Sequence, residues 1–115
     1  MSRVARVNFT DYSSSITDAL DLIGAADRLP RDGLIIIKPN LTNSSPPPVT
    51  TSVEAAEALY NYCKSHTKAQ IAIGEGCGSG VTAEVFAALG YSDLAGRHGL
   101  GKADLRWIIR RAREV

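Results

Sequence analysis

Two short apolar runs in this sequence end on side chains that could do chemistry together. Lys38 follows "LIII" at 34–37 and Asn40 comes two residues later, while Glu75 follows "AQIAIG" at 69–74. An ammonium, an amide and a carboxylate in one place can bind a small anion or a metal-bound anion, with the carboxylate as metal ligand or proton acceptor. These residue types alone identify no catalytic residue. Whether the three side chains meet depends on the elements that carry them.

The chain alternates between strand-like and helix-like segments, which is typical of a parallel α/β domain. The run "LIII" is continuous rather than alternating, as in strands that are buried on both faces of a parallel sheet. A length of 115 residues suits one domain. We predict a small three-layer βαβαβα domain with a short, mainly parallel sheet and an additional C-terminal helix. The predicted strands cover 3–9, 34–37 and 69–73, and the predicted helices lie at 15–29, 51–66 and 81–89.

Local start and stop signals set the bounds of these helices. Ser15 followed by Asp18 resembles a helix start, and Thr51 with Glu54 has the T-x-x-E pattern of a capping box. Gly90 suits the position just after a helix, where glycine adopts a left-handed conformation without strain. These signals predict that the second helix begins at the Thr51 box.

Ligands of open parallel sheets bind in the crevice beyond the carboxyl ends of the strands. Lys38 and Glu75 face that crevice if their strands are neighbours, and Pro39 presents Lys38 from a stiff backbone. Thr50 and Thr51 bring hydroxyls and backbone N–H groups to a helix start, which favours anions. Three simpler alternatives stay open: Lys38 as a solvated strand end, Glu75 as its ion-pair partner only, and Thr51 as a helix cap only.

The glycine loop at 74–80 invites comparison with nucleotide-binding loops. Its pattern is G-x-G-x-G-x-G, so the third glycine of G-x-G-x-x-G is replaced by Ser79, and G-x-x-x-x-G-K-[ST] is absent. Glu75 inside the loop would also repel a pyrophosphate. The loop therefore argues against classical NAD or ATP binding.

Composition excludes several classes of protein. No apolar run approaches the roughly 20 residues of a membrane helix, and the N-terminus lacks the apolar stretch of a secretory signal, so we expect a cytoplasmic protein without a membrane partner. The net charge of +1 argues against a nucleic-acid partner. Cys63 and Cys77 lie 14 positions apart without companion histidines at zinc spacing, so we expect no metal and no identifiable cofactor. Both cysteines suit buried, inert positions.

Three motifs together resemble a known family. "IIIKPNL", "PPVTTSVEAAEAL" and "IAIGEGCGSGVTAEVFAALGYSDLA" are similar, in order and spacing, to the amino-terminal part of the domain of unknown function 362 (DUF362) family, over roughly residues 3–99. The resemblance implies a cytosolic α/β protein, and some longer relatives carry cysteine clusters for 4Fe–4S centres that have no counterpart here. It also implies shared positions at Lys38, Pro39, Asn40, Thr50, Thr51, Gly74, Glu75, Gly76 and Thr82.

The last residues depart from the family pattern. We divide the chain into an α/β domain at 1–99 and a basic amphipathic C-terminal helix at 100–115, whose apolar positions include Leu105, Ile108 and Ile109. The tail helix is expected to dock on the sheet, to cover a surface that longer relatives bury, or to contact nucleic acid or lipid. An abrupt departure of this kind is also what a truncated or frame-shifted copy would show.

Two functions are therefore expected from the sequence. The first is binding of a small anionic ligand or metal-bound anion in the crevice, with Lys38, Asn40, Thr50, Thr51, Gly74, Glu75, Gly76 and Thr82 as the binding residues. The alternative is a non-catalytic, truncated family member that self-associates or binds a partner chain, because a small sheet leaves its edges unpaired.

Overall fold

Three short parallel strands and the helices that connect them form the described part of the chain, which covers residues 2–104 of a computed structural model. The strands lie side by side in the order β1–β2–β3. In chain order the elements are α1 (Tyr12–Leu22), a 3₁₀ turn (Ala25–Arg28), β1 (Leu34–Ile37), α2 (Val53–His66), β2 (Gln70–Glu75), α3 (Thr82–Ala88), α4 (Tyr91–His98) and β3 (Gly101–Asp104). The predicted α/β class with a short parallel sheet is confirmed, while the three-layer arrangement stays a prediction.

Helices α2, α3 and α4 pack against one face of the sheet, and α1 packs against α2. Ile37 of β1 pairs with Ile73 of β2, and both belong to a buried core that takes residues from α2, α3 and α4. Crossovers between parallel strands are right-handed, so two successive crossovers to neighbouring strands place their helices on the same face. Tyr91 and Leu94 of α4 are fully buried in this core. The strand order therefore explains why one face carries the packing.

The other face of β1 is open to solvent. Leu34 and Ile36 are 56% and 42% exposed, whereas Ile37 is buried. The prediction that the run 34–37 is buried on both faces is therefore wrong. A continuous apolar run makes burial of both faces of a strand possible. Burial also requires a helix or sheet that packs on each face.

The N-terminal segment differs from the sequence prediction. Residues 3–9 form no strand, and Val4 and Phe9 are largely exposed. Their alternating pattern was compatible with a strand, but a strand also requires a neighbour for its backbone hydrogen bonds. The first helix begins earlier than predicted, because Asp11 is its cap and accepts the Ser14 N–H at 2.7 Å. Ser15 instead accepts the Thr10 N–H.

The first helix also ends before Pro30. It stops at Leu22, and Gly24 follows in the left-handed region with φ of 67°. Glycine takes this conformation without the steric cost that other residues meet, so it breaks the helix where the periodicity continues. The shorter 3₁₀ turn then occupies part of the predicted helix.

The second helix is confirmed, but the prediction that Thr51 and Glu54 form its capping box is wrong. Ser52 is the N-cap of α2 and its hydroxyl donates to the Glu54 carboxylate, while Thr51 bonds elsewhere. Gly90 is confirmed at the end of α3, with φ of 87° and Val53 side-chain atoms against the site of a Cβ. The sequence reading missed α4, which begins directly after Gly90.

The C-terminal helix prediction falls mostly outside the described residues. Gly101–Asp104, which it included, form β3 and pair in parallel with β2. Residues 105–115, which carry the predicted amphipathic pattern, lie beyond the described range.

Candidate functional site

Lys38 and Glu75 meet at the carboxyl edge of the sheet. Strand β1 ends at Ile37, which pairs with Ile73, whereas β2 continues through Gly74 to Glu75, two residues beyond its predicted end. Lys38 and Glu75 therefore lie at the same edge of the sheet. The Lys38 Nζ atom lies 3.2 Å from Glu75 Oε1. The sequence-based expectation that an ammonium and a carboxylate share one crevice therefore agrees with the geometry. We call the region of Lys38, Asn40, Thr51 and Glu75 the strand-end crevice.

The Glu75 carboxylate is held mainly by backbone groups. Its Oε2 atom accepts the Leu41 N–H at 3.2 Å, and its Oε1 atom accepts the Gly76 N–H at 2.9 Å. Glu75 is only 7% exposed. Burial raises the pKa of this carboxyl, but the Leu41 and Gly76 N–H groups and the Lys38 ammonium outweigh burial and leave the pKa below its usual value. Glu75 is therefore a carboxylate at neutral pH.

The loop after β1 is closed by a reciprocal pair of hydrogen bonds. The Asn40 N–H donates to Thr51 Oγ1, and the Thr51 N–H donates to the Asn40 carbonyl, both at 2.9 Å. Leu41 is fully buried in the core beneath this loop, and the Thr50 hydroxyl donates to the Ser45 carbonyl. Thr50 is thus buried and stabilises the loop, and its hydroxyl is not exposed to a ligand. Asn40 is exposed to solvent.

The start of α2 already has a negative group. Glu54 lies in the first turn, accepts the Ser52 hydroxyl, and its pKa is lowered first by that bond and then by its own backbone N–H. Carboxylates near a helix N-terminus interact favourably with the helix dipole. The Glu54 carboxylate therefore already supplies the negative charge at this helix N-terminus, where the sequence had suggested an external anion.

The glycine loop packs against the loop that follows β1. The Ser79 N–H donates to the Thr42 carbonyl at 2.8 Å, and a Cβ added to Gly78 would lie 3.2 Å from Thr42 Oγ1. The close approach of the two loops explains the need for glycine at this point. Thr82 is buried at the start of α3, where its Oγ1 accepts the Cys77 N–H at 3.4 Å. Thr82 therefore orders the glycine loop.

Comparison with known proteins identifies the family. The family model described as "Domain of unknown function (DUF362)" matches residues 35–107, well over half of the chain. The chain belongs to the DUF362 family. The match begins at β1, so it includes every residue of the strand-end crevice and excludes α1. No curated protein and no solved structure matches this DUF362 chain.

The described residues of this DUF362 domain contain no cluster of three or more His, Cys, Asp or Glu side chains suited to a metal ion. Cys63 and Cys77 are both buried, and burial raises the pKa of the Cys63 thiol. None of the helices between residues 2 and 104 has the length and apolar character needed to cross a membrane.

Two features of the site were missed from the sequence. Leu41 joins the crevice to the core, and its place after "KPN" gave a weak signal because a lone leucine in a polar loop is easily overlooked. The second is a groove between α1 and α2 that reaches Lys38 and Thr51. The periodic apolar residues of α1 were visible in the sequence, but their distance from Lys38 was not.

Proposed function

We propose that this DUF362 domain binds a small anion, or a metal-bound anion, in the strand-end crevice, with the Lys38 ammonium as the charged contact. The observation that carries the proposal is the contrast within one ion pair: the Lys38 side chain is 61% exposed while its partner Glu75 is 9% exposed. The ammonium is held at a defined place and remains accessible from solvent. An ammonium has three N–H donors, so Lys38 can bind an anion while it remains paired with Glu75.

The remaining residues of the crevice have different parts in this proposal. Glu75 positions Lys38 and fixes Leu41, and its lowered pKa favours a positioning group or a metal ligand over a proton acceptor at neutral pH. Asn40 presents its amide from a backbone that Thr51 holds in place. Thr50, Gly76 and Thr82 order the two loops, and Gly74 lies within β2, directly before Glu75. Anion binding therefore rests on Lys38 and Asn40.

A titration followed by amide NMR shifts tests the proposal. The probes are inorganic phosphate, phosphate with Mg²⁺, and acetate. We expect Lys38→Gln to weaken binding at least tenfold, because a charge-assisted hydrogen bond is lost. Lys68→Gln is the matched control, since Lys68 is exposed and lies in the connection between α2 and β2, at the opposite end of β2 from Glu75. Equal affinities for the wild type and Lys38→Gln would refute the proposal.

A second candidate, self-association, is favoured by the open face of β1. Leu34 and Ile36 are exposed next to each other on one face of the strand, where a second apolar surface could cover them. Sedimentation velocity of the wild type and of Ile36→Lys tests this. A concentration-dependent dimer that disappears in Ile36→Lys would support the candidate, and a wild-type monomer at all concentrations would exclude it.

A further inference from the structure

An apolar groove lies between α1 and α2 and opens next to Lys38. Its volume is about 370 Å³. Lys38, Pro39 and Thr51 form the end of the groove that adjoins the strand-end crevice. The rest of the lining is apolar and comprises Ile16, Ala19, Leu20, Ile37, Ala55, Ala56 and Leu59. We call this the α1–α2 groove.

A partly buried hydrogen bond joins the two helices that form the walls of the groove. The Tyr62 hydroxyl on α2 donates to Asp21 Oδ1 on α1 at 2.9 Å. The reciprocal bonds between Asn40 and Thr51 close the end of the groove near the crevice. A preformed groove binds a ligand without the entropic cost of ordering its walls.

The charges at the groove select one kind of occupant. Lys38 is the charged residue in the lining, and Glu75 lies next to it with its own negative charge. The attraction to Lys38 and the repulsion from Glu75 both grow in proportion to the charge of an anion, whereas the cost of removing its hydration beside an apolar lining grows with the square of that charge. A single negative charge therefore suits the groove better than two or three. Thr51 Oγ1 accepts from Asn40 and has a hydroxyl hydrogen that it can donate to a carboxylate oxygen.

We infer that the α1–α2 groove binds the apolar body of a monocarboxylate anion, whose carboxylate lies against Lys38 and Thr51. This inference rests on the proposed function, because it uses the same ammonium, and it adds the class of ligand. The groove volume is near the lower end of the roughly 300–1,000 Å³ of small-molecule pockets. That size suits a body of medium chain length or a single ring, and a long acyl chain would extend out of the groove.

A homologous series of carboxylates tests the inference on the full chain. Acetate, butanoate, hexanoate and octanoate differ only in their apolar length, and 1-octanol supplies the same body without the charge. We expect affinity to rise about three- to fourfold for each methylene that the groove buries. We also expect octanoate to bind at least tenfold more tightly than 1-octanol, because only octanoate pairs with Lys38.

Variants in the groove separate its contribution from that of Lys38. Ala55→Leu fills the groove and should remove most of the gain from acetate to octanoate, with Ala19→Leu as a second filling variant if the first does not fold. Ala83→Leu adds the same bulk to an exposed position of α3 outside the groove and serves as the matched control. Lys38→Gln should weaken all four carboxylates by a similar factor.

The outcomes distinguish the two proposals. If octanoate binds no better than acetate and both depend on Lys38, the groove inference is overturned and the anion proposal stands. If octanoate and 1-octanol bind equally and Lys38→Gln changes neither, the anion proposal fails together with the assignment of a carboxylate. If Ala55→Leu changes the oligomeric state and leaves octanoate affinity as it was, a second copy occupies the groove and the inference is overturned.

Discussion

Two clusters in this protein pair a glutamate with basic side chains in different surroundings. In the crevice, Glu75 contacts Lys38 and two backbone N–H groups. Between α2 and α4, Glu57 contacts Arg97 at 2.7 Å and His98 at 2.8 Å, and all of these contacts are made by side chains. The Glu75 side chain is 9% exposed and the Glu57 side chain is 27% exposed.

The two carboxylates are held in place by different kinds of group. Both glutamates have a lowered pKa, but for Glu57 the largest cause is the Arg97 side chain, whereas Glu75 is held against burial by backbone groups. Exposed side-chain pairs are screened by water and cost side-chain entropy, so they contribute little. A buried carboxylate that accepts backbone N–H groups ties one segment of the chain to another. Glu75 thus sets the position of Lys38, while Glu57 adds a surface contact.

The largest predicted effect concerns the loop anchor beneath the crevice. Leu41→Ala should lower the free energy of unfolding by about 3 kcal/mol, because it leaves a cavity in the core. Leu41 is fully buried, and Leu22, which is 62% exposed, provides the control Leu22→Ala with a change within about 0.5 kcal/mol. Urea denaturation measures both. Similar losses in the two variants would show that the loop after β1 is not anchored in the core.

The second prediction concerns the Glu75 carboxylate. Glu75→Gln should lower the free energy of unfolding by about 2 kcal/mol, because the carboxamide has one oxygen and leaves a backbone N–H of Leu41 or Gly76 facing an NH₂ group. The structure gives the two carboxylate oxygens different donors. Urea denaturation at neutral pH measures the loss. A change below about 0.5 kcal/mol would contradict the role of the backbone bonds.

The third prediction is the pH dependence of that loss. Folding lowers the pKa of Glu75 from its usual 4.5, so the stability it contributes is complete above about pH 5 and is lost as pH falls through the lower folded value. The difference between the wild type and Glu75→Gln should therefore shrink as the pH is lowered from 5. Using this difference cancels the contributions of other carboxylates. A difference that grew on acidification would indicate a raised pKa.

The smallest predicted effect is at the surface cluster. Glu57→Gln should change the free energy of unfolding by less than about 1 kcal/mol, and the change should diminish at high salt. Parallel urea denaturation in low and high salt measures it against Glu75→Gln. A loss from Glu57→Gln as large as that from Glu75→Gln would remove the distinction between the two clusters.

The places of Lys38 and Glu75 could be predicted because they depend on short stretches of sequence. Each follows an apolar run that forms a strand, and parallel strands end at one edge of the sheet. Gly90 was predictable for a similar reason, since a left-handed residue after a helix favours glycine. The crevice itself stays a predicted binding site.

The roles of the threonines could not be predicted in the same way. Thr51 had the spacing of a helix cap, yet it bonds to Asn40, which lies 11 residues earlier. Residues 3–9 had the alternation of a strand, yet they have no strand neighbour among the described residues. Local patterns compete with tertiary contacts, and the contact with the larger gain decides the conformation.

The sequence by itself determined which strands end in charges and which edge of the sheet receives them, because strand formation and direction follow from apolar runs and their connections. Only the tertiary structure decided how the charges are used. The bond from Leu41 to Glu75 joins residues 34 positions apart, and it leaves Lys38 accessible while Glu75 is enclosed. Such a bond depends on how the loop after β1 folds over the core, and the spacing of residues in the sequence does not predict that conformation.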